Sequence, residues 1–271
     1  YTEGVPDAKN TTVLLDSLAS LEEKVTSFAH VDLFCDFDGV LAPIAPRPQE
    51  AEVEAALRTL LTELSTRDAF HVSVVSGRAL KDLRDCVGIR AITYAGNHAL
   101  VICGPGVERT HPIAKRTLDQ LHSFARELRL SLKEHEGIII EDKHLGVALH
   151  TRLASKRELP MITERFSEIL ACRNAEGLLR VIRGKSLIEA RPAVAWDKGS
   201  AVLWLLRERH GETWPERVFP VYLGDDETDE DAFRALPEHG ITVRVGYPFS
   251  HETAACYTLQ DTEEVHTFLA W

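Results

Sequence analysis

Residues 31–40 read Val31-Asp32-Leu33-Phe34-Cys35-Asp36-Phe37-Asp38-Gly39-Val40, an apolar run interrupted by Asp32 and followed by two aspartates and a glycine. Such a run has the length of a strand buried on both faces, and in an open parallel sheet ligands bind beyond the carboxyl ends of the strands. A second apolar run, Val218 to Leu223, delivers Gly224-Asp225-Asp226-Glu227-Thr228-Asp229 in the same way. Neighbouring placement of the two strands would bring up to five aspartates together. Two carboxylates about 4 Å apart repel by about 4 kcal/mol at an effective dielectric near 20, so the cluster demands protons or a cation. Oxygen donors without a histidine at coordinating spacing point to Mg²⁺. Either segment alone could be a turn or a helix cap, but their pairing at two strand ends favours the chemical reading.

Outward from this point the chain alternates strand and helix. Leucines at helical spacing (Leu14, Leu15, Leu18, Leu21) predict a helix over Thr12 to Phe28. Beyond the first strand follow an amphipathic segment from Glu50 to Leu64, a strand around Val72 to Val75, a helix from Leu80 and a short strand near Ile92. The rhythm is that of a parallel α/β sheet. It breaks after Leu100, where Val101 to Arg109 reads as a hairpin around Gly104-Pro105-Gly106 and a long helix spans Lys115 to Lys133. Two strand pairs, Ile138 to Arg152 and Leu179 to Ala190, enclose a helix from Lys156 to Cys172. The α/β pattern resumes with a helix over Lys198 to Arg209, a helix near Asp231 and a strand at Ile241 to Val245. The expected organisation is a discontinuous α/β core, residues 1–103 and 191–271, with an α+β domain inserted at residues 104–190.

Composition narrows the function classes. The 271 residues are 44% hydrophobic and 27% charged, as in folded globular proteins. Thirty-one basic against 42 acidic side chains leave a net charge of −11, which repels a nucleic-acid polyanion. The uncharged stretch Ala91 to Val107 is broken by glycines and a proline, so no membrane span is expected. The five scattered cysteines lack metal or redox spacing and read as reduced core thiols of a cytoplasmic protein. Asn10-Thr11-Thr12 matches a glycosylation sequon, read as accidental, and Tyr1 in place of Met suggests a trimmed chain. A monomer acting on a small molecule is the expected partner state.

Two further strand ends carry polar residues. Ser76-Gly77-Arg78 offers a hydroxyl and helix-opening amides to an anion, or simply a cap. Lys198 sits in the first turn of a helix capped by Asp197, against the macrodipole, which favours a functional reason over a solvated lysine.

In this order, DFDGV, VVSGR, DKG and GDDETDEDAF resemble the four motifs of the haloacid dehalogenase superfamily of phosphatases. The resemblance implies a Rossmann-like parallel core with an inserted cap of the mixed α/β (C2) type. It implies that Asp36 is the nucleophile, Asp38 the general acid and base, and Ser76 and Lys198 phosphate ligands. Mg²⁺ would be held by Asp36, the main-chain carbonyl of Asp38 and Asp225, with Asp226 and Asp229 in support. Val40 replaces the threonine common after this glycine. An aspartate nucleophile suits phosphate monoesters, which hydrolyse very slowly and need charge neutralisation above all.

A finer match, through DFDGVLAPI, AGNH (Ala95 to His98), EDKHLGVALHTR (Glu141 to Arg152), GKSLIEARP (Gly184 to Pro192) and GDDETDEDAF, is similar to the trehalose-6-phosphate phosphatase family. It implies sugar contacts at Lys143, His150, Arg152 and Glu189 of the cap, with Gly39, Arg78, Asn97 and His98 as further substrate-binding positions. Ala99 stands where that family often has glycine, and Thr151 where an aromatic is common. On local grounds Lys143, His150 and Arg152 read equally as hairpin decoration, His150 and Arg152 sharing a face at period two, and Glu189 as an edge-strand charge. Gly184-Lys185-Ser186 is not a nucleotide-binding loop, because Leu179 occupies the required glycine position. The alternatives are a phosphatase for another sugar phosphate, such as sucrose 6-phosphate or a glycosylated glycerate, and a catalytically silent sugar-phosphate sensor. The intact Asp36 and Asp38 pair argues against the sensor.

Overall fold

A computed structural model describes residues 12–45, 50–184, 186–236, 240–246 and 252–271, so Tyr1, Asn10 of the sequon and Lys185 lie outside the described residues. From the amino end come β1 (Thr12–Val13), α1 (Leu18–Thr26), β2 (His30–Cys35), α2 (Ala55–Ser65), β3 (Phe70–Val75), α3 (Leu80–Val87), β4 (Thr93–Gly96), β5 (Val101–Gly104) and β6 (Val107–Thr110). The chain continues through α4 (Pro112–Arg116), α5 (Leu118–Ser131), β7 (Ile139–Asp142), β8 (Val147–His150), α6 (Leu159–Arg173), β9 (Leu179–Gly184) and β10 (Leu187–Pro192). It closes with α7 (Lys198–His210), β11 (Val218–Gly224), α8 (Glu230–Ala235), β12 (Ile241–Val245), β13 (Tyr257–Leu259) and α9 (Thr262–Ala270).

Among the described residues the first sheet has nine strands in the order β1-β13-β12-β11-β2-β3-β4-β5-β6. From β1 to β4 the pairing is parallel, and β5 then runs antiparallel to β4. Both faces are covered, as a parallel sheet requires. Leu33 and Cys35 of β2 pack with Leu57, Leu61 and Leu83 on one face, while Phe34 packs with Val202 and Leu205 on the other. From β2 the chain moves outward to β3 and β4, and from β11 it moves the other way to β12 and β13. The crevice between β2 and β11 is therefore the point where strand order reverses, the place where open α/β sheets bind ligands.

Two compact units divide the chain, residues 1–108 with 196–271, and residues 109–195. Both bounds lie five residues beyond those expected, the first because β5 belongs to the large sheet: Tyr94, Ala95 and Gly96 of β4 pair with Cys103, Ile102 and Val101. In the second unit a four-stranded antiparallel sheet, β7-β8-β10-β9, packs Val147, Leu149, Ile188 and Ala190 against Leu121, Phe124 and Leu128 of α5 and Phe166 of α6.

Other departures have local causes. The helix expected over Thr12 to Phe28 begins only at Leu18, because Thr12 and Val13 pair in parallel with Tyr257 and Thr258. The expected Lys115–Lys133 helix is two helices meeting at Thr117, a fully buried residue whose Oγ1 donates to the Ala114 carbonyl at 2.9 Å. The helix foreseen from Glu50 starts at Ala55, and β13 and α9 have no counterpart in the sequence reading. Core thiols are correct only for Cys35, since Cys86 and Cys103 are half-buried and Cys172 and Cys256 exposed. No helix among the described residues is long and apolar enough to cross a membrane.

Candidate active site

β2 and β11 lie side by side, and the ladder extends one step past β2, where the Asp36 amide donates to the Leu223 carbonyl at 2.9 Å. That register sets the buried Asp36 against the Gly224-to-Asp229 loop. Carboxylate oxygens of Asp36, Asp225, Asp226 and Asp229 all fall within 4.8 Å of one another. Gly39 has φ +74°, and a Cβ there would collide with the Asp225 carboxylate, so this turn admits glycine for space as well as for conformation.

Into the cluster projects Lys198, whose Nζ lies 2.6 Å from Asp36 Oδ2, 2.7 Å from Asp229 Oδ1 and 3.9 Å from Asp226 Oδ1. Lys198 is buried rather than solvated: the Asp197 cap accepts from the Ser200 amide at 2.7 Å and starts α7 where its first residue faces the carboxylates. Asp229 also accepts from the Tyr222 hydroxyl at 2.6 Å and from the Asp225 and Asp226 amides at 3.0 and 3.1 Å. Tyr222 was missed from sequence. A hydroxyl-bearing ring in an otherwise apolar strand was the available signal, since a buried tyrosine needs a partner.

One ammonium does not neutralise four carboxylates. Burial, then repulsion from Asp229 and Asp226, pushes the Asp225 carboxyl up to about 7. Burial raises Asp36 as well, against the opposing pull of Lys198. Asp226 moves the other way: burial would lift it, but Lys198 and the Thr228 hydrogen bonds hold it below the ordinary carboxylate range. Close oxygen donors carrying such mutual repulsion fit a hard divalent cation of the Mg²⁺ class.

Asp38 stands apart from this group of side chains. Arg78 grips its carboxylate with two hydrogen bonds, Nε to Oδ2 at 2.7 Å and Nη2 to Oδ1 at 2.6 Å, and stacks 4.7 Å over the Phe37 ring. Ser76, buried at the end of β3, accepts from the Arg78 amide through Oγ at 3.2 Å. The loop after β4 interlocks with it: Asn97 donates from its amide to the Arg78 carbonyl at 2.6 Å and accepts from the Leu80 amide at 3.1 Å. A Cβ on Gly77 would lie 2.8 Å from the His98 ring. Asn97, His98 and Ala99 have φ of 55°, 54° and 62°. For Ala99 this left-handed conformation costs roughly 1–2 kcal/mol relative to a relaxed backbone, which explains why glycine would suit the position.

In the second unit the sheet face turned away from α5 and α6 carries the other candidates. Glu189 on β10 is buried and lies opposite Ala148 of β8, which lies opposite Glu141 of β7. Its strand is interior, paired on both sides, so the edge-charge reading is corrected. Lys143 Nζ lies 3.5 Å from Glu189 Oε1, and His150 Nε2 lies 2.8 Å from Glu141 Oε2. Glu141 was not singled out from sequence; its place two residues before Lys143 was the only hint. Arg152 is exposed in a turn beyond the end of β8, so it shares no strand face with His150.

The sequence profile of the trehalose-phosphatase family matches residues 34–263. The trehalose-phosphate phosphatase of Mycobacterium tuberculosis is 35% identical over 97% of this chain, and the chain spans 64% of that protein's length. A solved trehalose-6-phosphate phosphatase related protein aligns with TM-score 0.72 and 26% identity over 88% of this chain and 95% of its own. A haloacid dehalogenase-like hydrolase from Bacteroides thetaiotaomicron aligns with TM-score 0.60 at 15% identity over 89% of this chain and 98% of its own, a likeness of fold.

Proposed function

The chain belongs to the trehalose-phosphatase family, and from that premise we propose that it hydrolyses trehalose 6-phosphate to trehalose and inorganic phosphate. The observation that carries the reading is the buried Asp36 at the β2–β11 crevice, with Lys198 and three more carboxylates around it. Asp36 attacks phosphorus and the bond to the sugar oxygen breaks, while Asp38, entering this step protonated and freed from the Arg78 pairing, gives that oxygen its proton. Asp38, now a base, takes a proton from water, which attacks the aspartyl phosphate and frees both phosphate and Asp36. Arg78 orients the Asp38 carboxylate once its proton has been given up and it acts as the base, while Ser76, the amides that follow it and Lys198 hold phosphate oxygens. Asp36, Asp225 and the Asp38 carbonyl, supported by Asp226 and Asp229, would hold Mg²⁺, whose charge lets one anion approach another. We assign Gly39, Asn97 and His98 to the shape of the phosphate pocket. Lys143, His150, Arg152 and Glu189 form the sugar-recognising group, so residues 109–195 act as a specificity cap. Phosphate release across a panel of sugar phosphates tests this. Equal turnover of glucose 6-phosphate or sucrose 6-phosphate removes the substrate assignment, and no turnover of any removes the phosphatase.

Three expected results follow from the geometry. Asp38→Ala should slow hydrolysis of the sugar phosphate by at least about 10²-fold, and that of an aryl phosphate much less, because a good leaving group needs no proton. Equal losses would mean the substitution acts through the site's structure. Glu189→Ala should lower kcat/KM for trehalose 6-phosphate by about tenfold or more and leave a small phosphate ester nearly unaffected. Parallel losses on both would make Glu189 structural. Mg²⁺ affinity should fall as the pH drops through about 7, where Asp225 takes up a proton and competes with the cation. The expected slope is roughly tenfold per pH unit below that point, read from Mg²⁺ titrations between pH 8 and about 5.5. A flat profile would exclude Asp225 as a ligand.

A further inference from the structure

The same elements that carry the candidate active site carry a second cluster at their opposite ends. Asp32, fully buried, lies four residues before Asp36 on β2, about 13 Å along the strand. His71, its register partner on β3, presents Nδ1 3.3 Å from Asp32 Oδ1, and His210, the last residue of α7, presents Nε2 2.8 Å from the same oxygen. Donor atoms of all three residues fall within 4.8 Å of one another. We propose that Asp32, His71 and His210 form a binding site for a Zn²⁺-class ion, separate from the acidic cluster, with water as the fourth ligand.

The donor set is the first argument. Two imidazoles and one carboxylate suit zinc and other borderline transition metals and do not suit Mg²⁺. Zinc bonds of about 2.0–2.1 Å place tetrahedral donors about 3.3–3.4 Å apart, close to the His71 spacing and slightly wider than that of His210.

The surroundings are the second. Arg209 Nη1 holds the other carboxylate oxygen at 2.9 Å, and its Nη2 is tied to Ser73 and Thr93 at 2.9 and 2.8 Å. Oδ1 is thereby left facing the imidazoles, an arrangement of outer hydrogen bonds that orients a metal-binding carboxylate. Burial alone would raise the Asp32 carboxyl, but His210, His71 and Arg209 hold it well below the ordinary range, so the donor is ionised.

Orphaned nitrogens are the third. His71 Nδ1 is buried without a well-formed hydrogen bond, and so is Nδ1 of His30, whose ring packs 5.2 Å from His210 and 6.0 Å from His71. A buried imidazole nitrogen that meets a carboxylate without a well-formed hydrogen bond, next to a second histidine whose Nδ1 has no hydrogen bond, requires an explanation, and a hydrated cation supplies it. A cavity of about 220 Å³ is bordered by His71, Thr93 and Arg209 and so reaches the cluster on its His71 side. Because β2, β3 and α7 deliver Asp36, Ser76 and Lys198 at their other ends, the ion would act as a clamp on the strands and helix beneath the candidate active site.

The test uses tag-free, chelator-treated protein titrated with Zn²⁺ against a chromophoric chelator, in excess Mg²⁺ to fill the acidic cluster. Wild type and Asp225→Asn should each retain one equivalent, and His71→Gln and His210→Gln should each weaken binding by at least about tenfold. Co²⁺ in place of Zn²⁺ should give the visible bands of a tetrahedral site in wild type and lose them in His71→Gln. If His210→Gln fails to fold, the half-exposed His71 decides. No retained Zn²⁺, retention indifferent to His71→Gln, or retention lost in Asp225→Asn would each overturn the proposal. None of these outcomes bears on hydrolysis at Asp36.

Discussion

Asp36→Asn should abolish turnover of trehalose 6-phosphate, by at least roughly 10⁴-fold, while the protein stays folded. Asparagine has the same shape but no nucleophilic carboxylate, and no other aspartate takes its place: Asp225, Asp226 and Asp229 lie on the neighbouring strand's loop, and Asp38 is turned to Arg78. Removing one of four mutually repelling carboxylates does not cost the fold its core, since Phe34, Cys35 and Phe37 on either side remain fully buried. Far-ultraviolet circular dichroism checks folding, and phosphate release checks activity. Acid quench of the native protein during turnover provides the sharper measurement, because only attack by Asp36 on phosphorus forms a phosphoryl–enzyme bond. Accumulation of a base-labile phosphoryl group on the Asp36 peptide after the quench is the positive sign. Normal turnover by the variant would discard the covalent route.

Lys198→Met is expected to have the largest effect on stability, about 3–5 kcal/mol in the metal-free protein, because it removes one partner of a buried ion-pair network and leaves the other charges uncompensated. The lost partners are Asp36 and Asp229 at 2.6 and 2.7 Å, with Asp226 further off at 3.9 Å. Methionine keeps most of the volume of the lysine stem, so the loss reports charge rather than packing. Millimolar Mg²⁺ should restore much of the stability by replacing the missing positive charge. Denaturant unfolding with chelator and with Mg²⁺ measures both. An equal loss in the two conditions would show that Lys198 contributes through packing, and no loss at all would mean that the carboxylates take up protons in its absence.

The sequence by itself was enough for the α/β rhythm, the interruption after Leu100, and the chemistry-bearing residues at the ends of β2, β3 and β11. The reason is physical: strands buried on both faces are short apolar runs, and in a parallel sheet the residues that follow them lie at one edge wherever the strands stand. Asp36, Ser76 and the Asp225-to-Asp229 loop are legible in this way. Partnerships were not. Lys198 reads locally as a helix-start lysine, and only the packing of α7 buries it against two carboxylates. The bidentate grip of Arg78 on Asp38 spans 40 residues, Glu189 meets Lys143 across three strands, and Asp32, His71 and His210 meet from the far ends of β2, β3 and α7. Strand order and register decide such contacts. They arise from the sum of many long-range packing choices, which no local period or spacing encodes, and this is why residue types could be read from the chain while their partners came only with the tertiary structure.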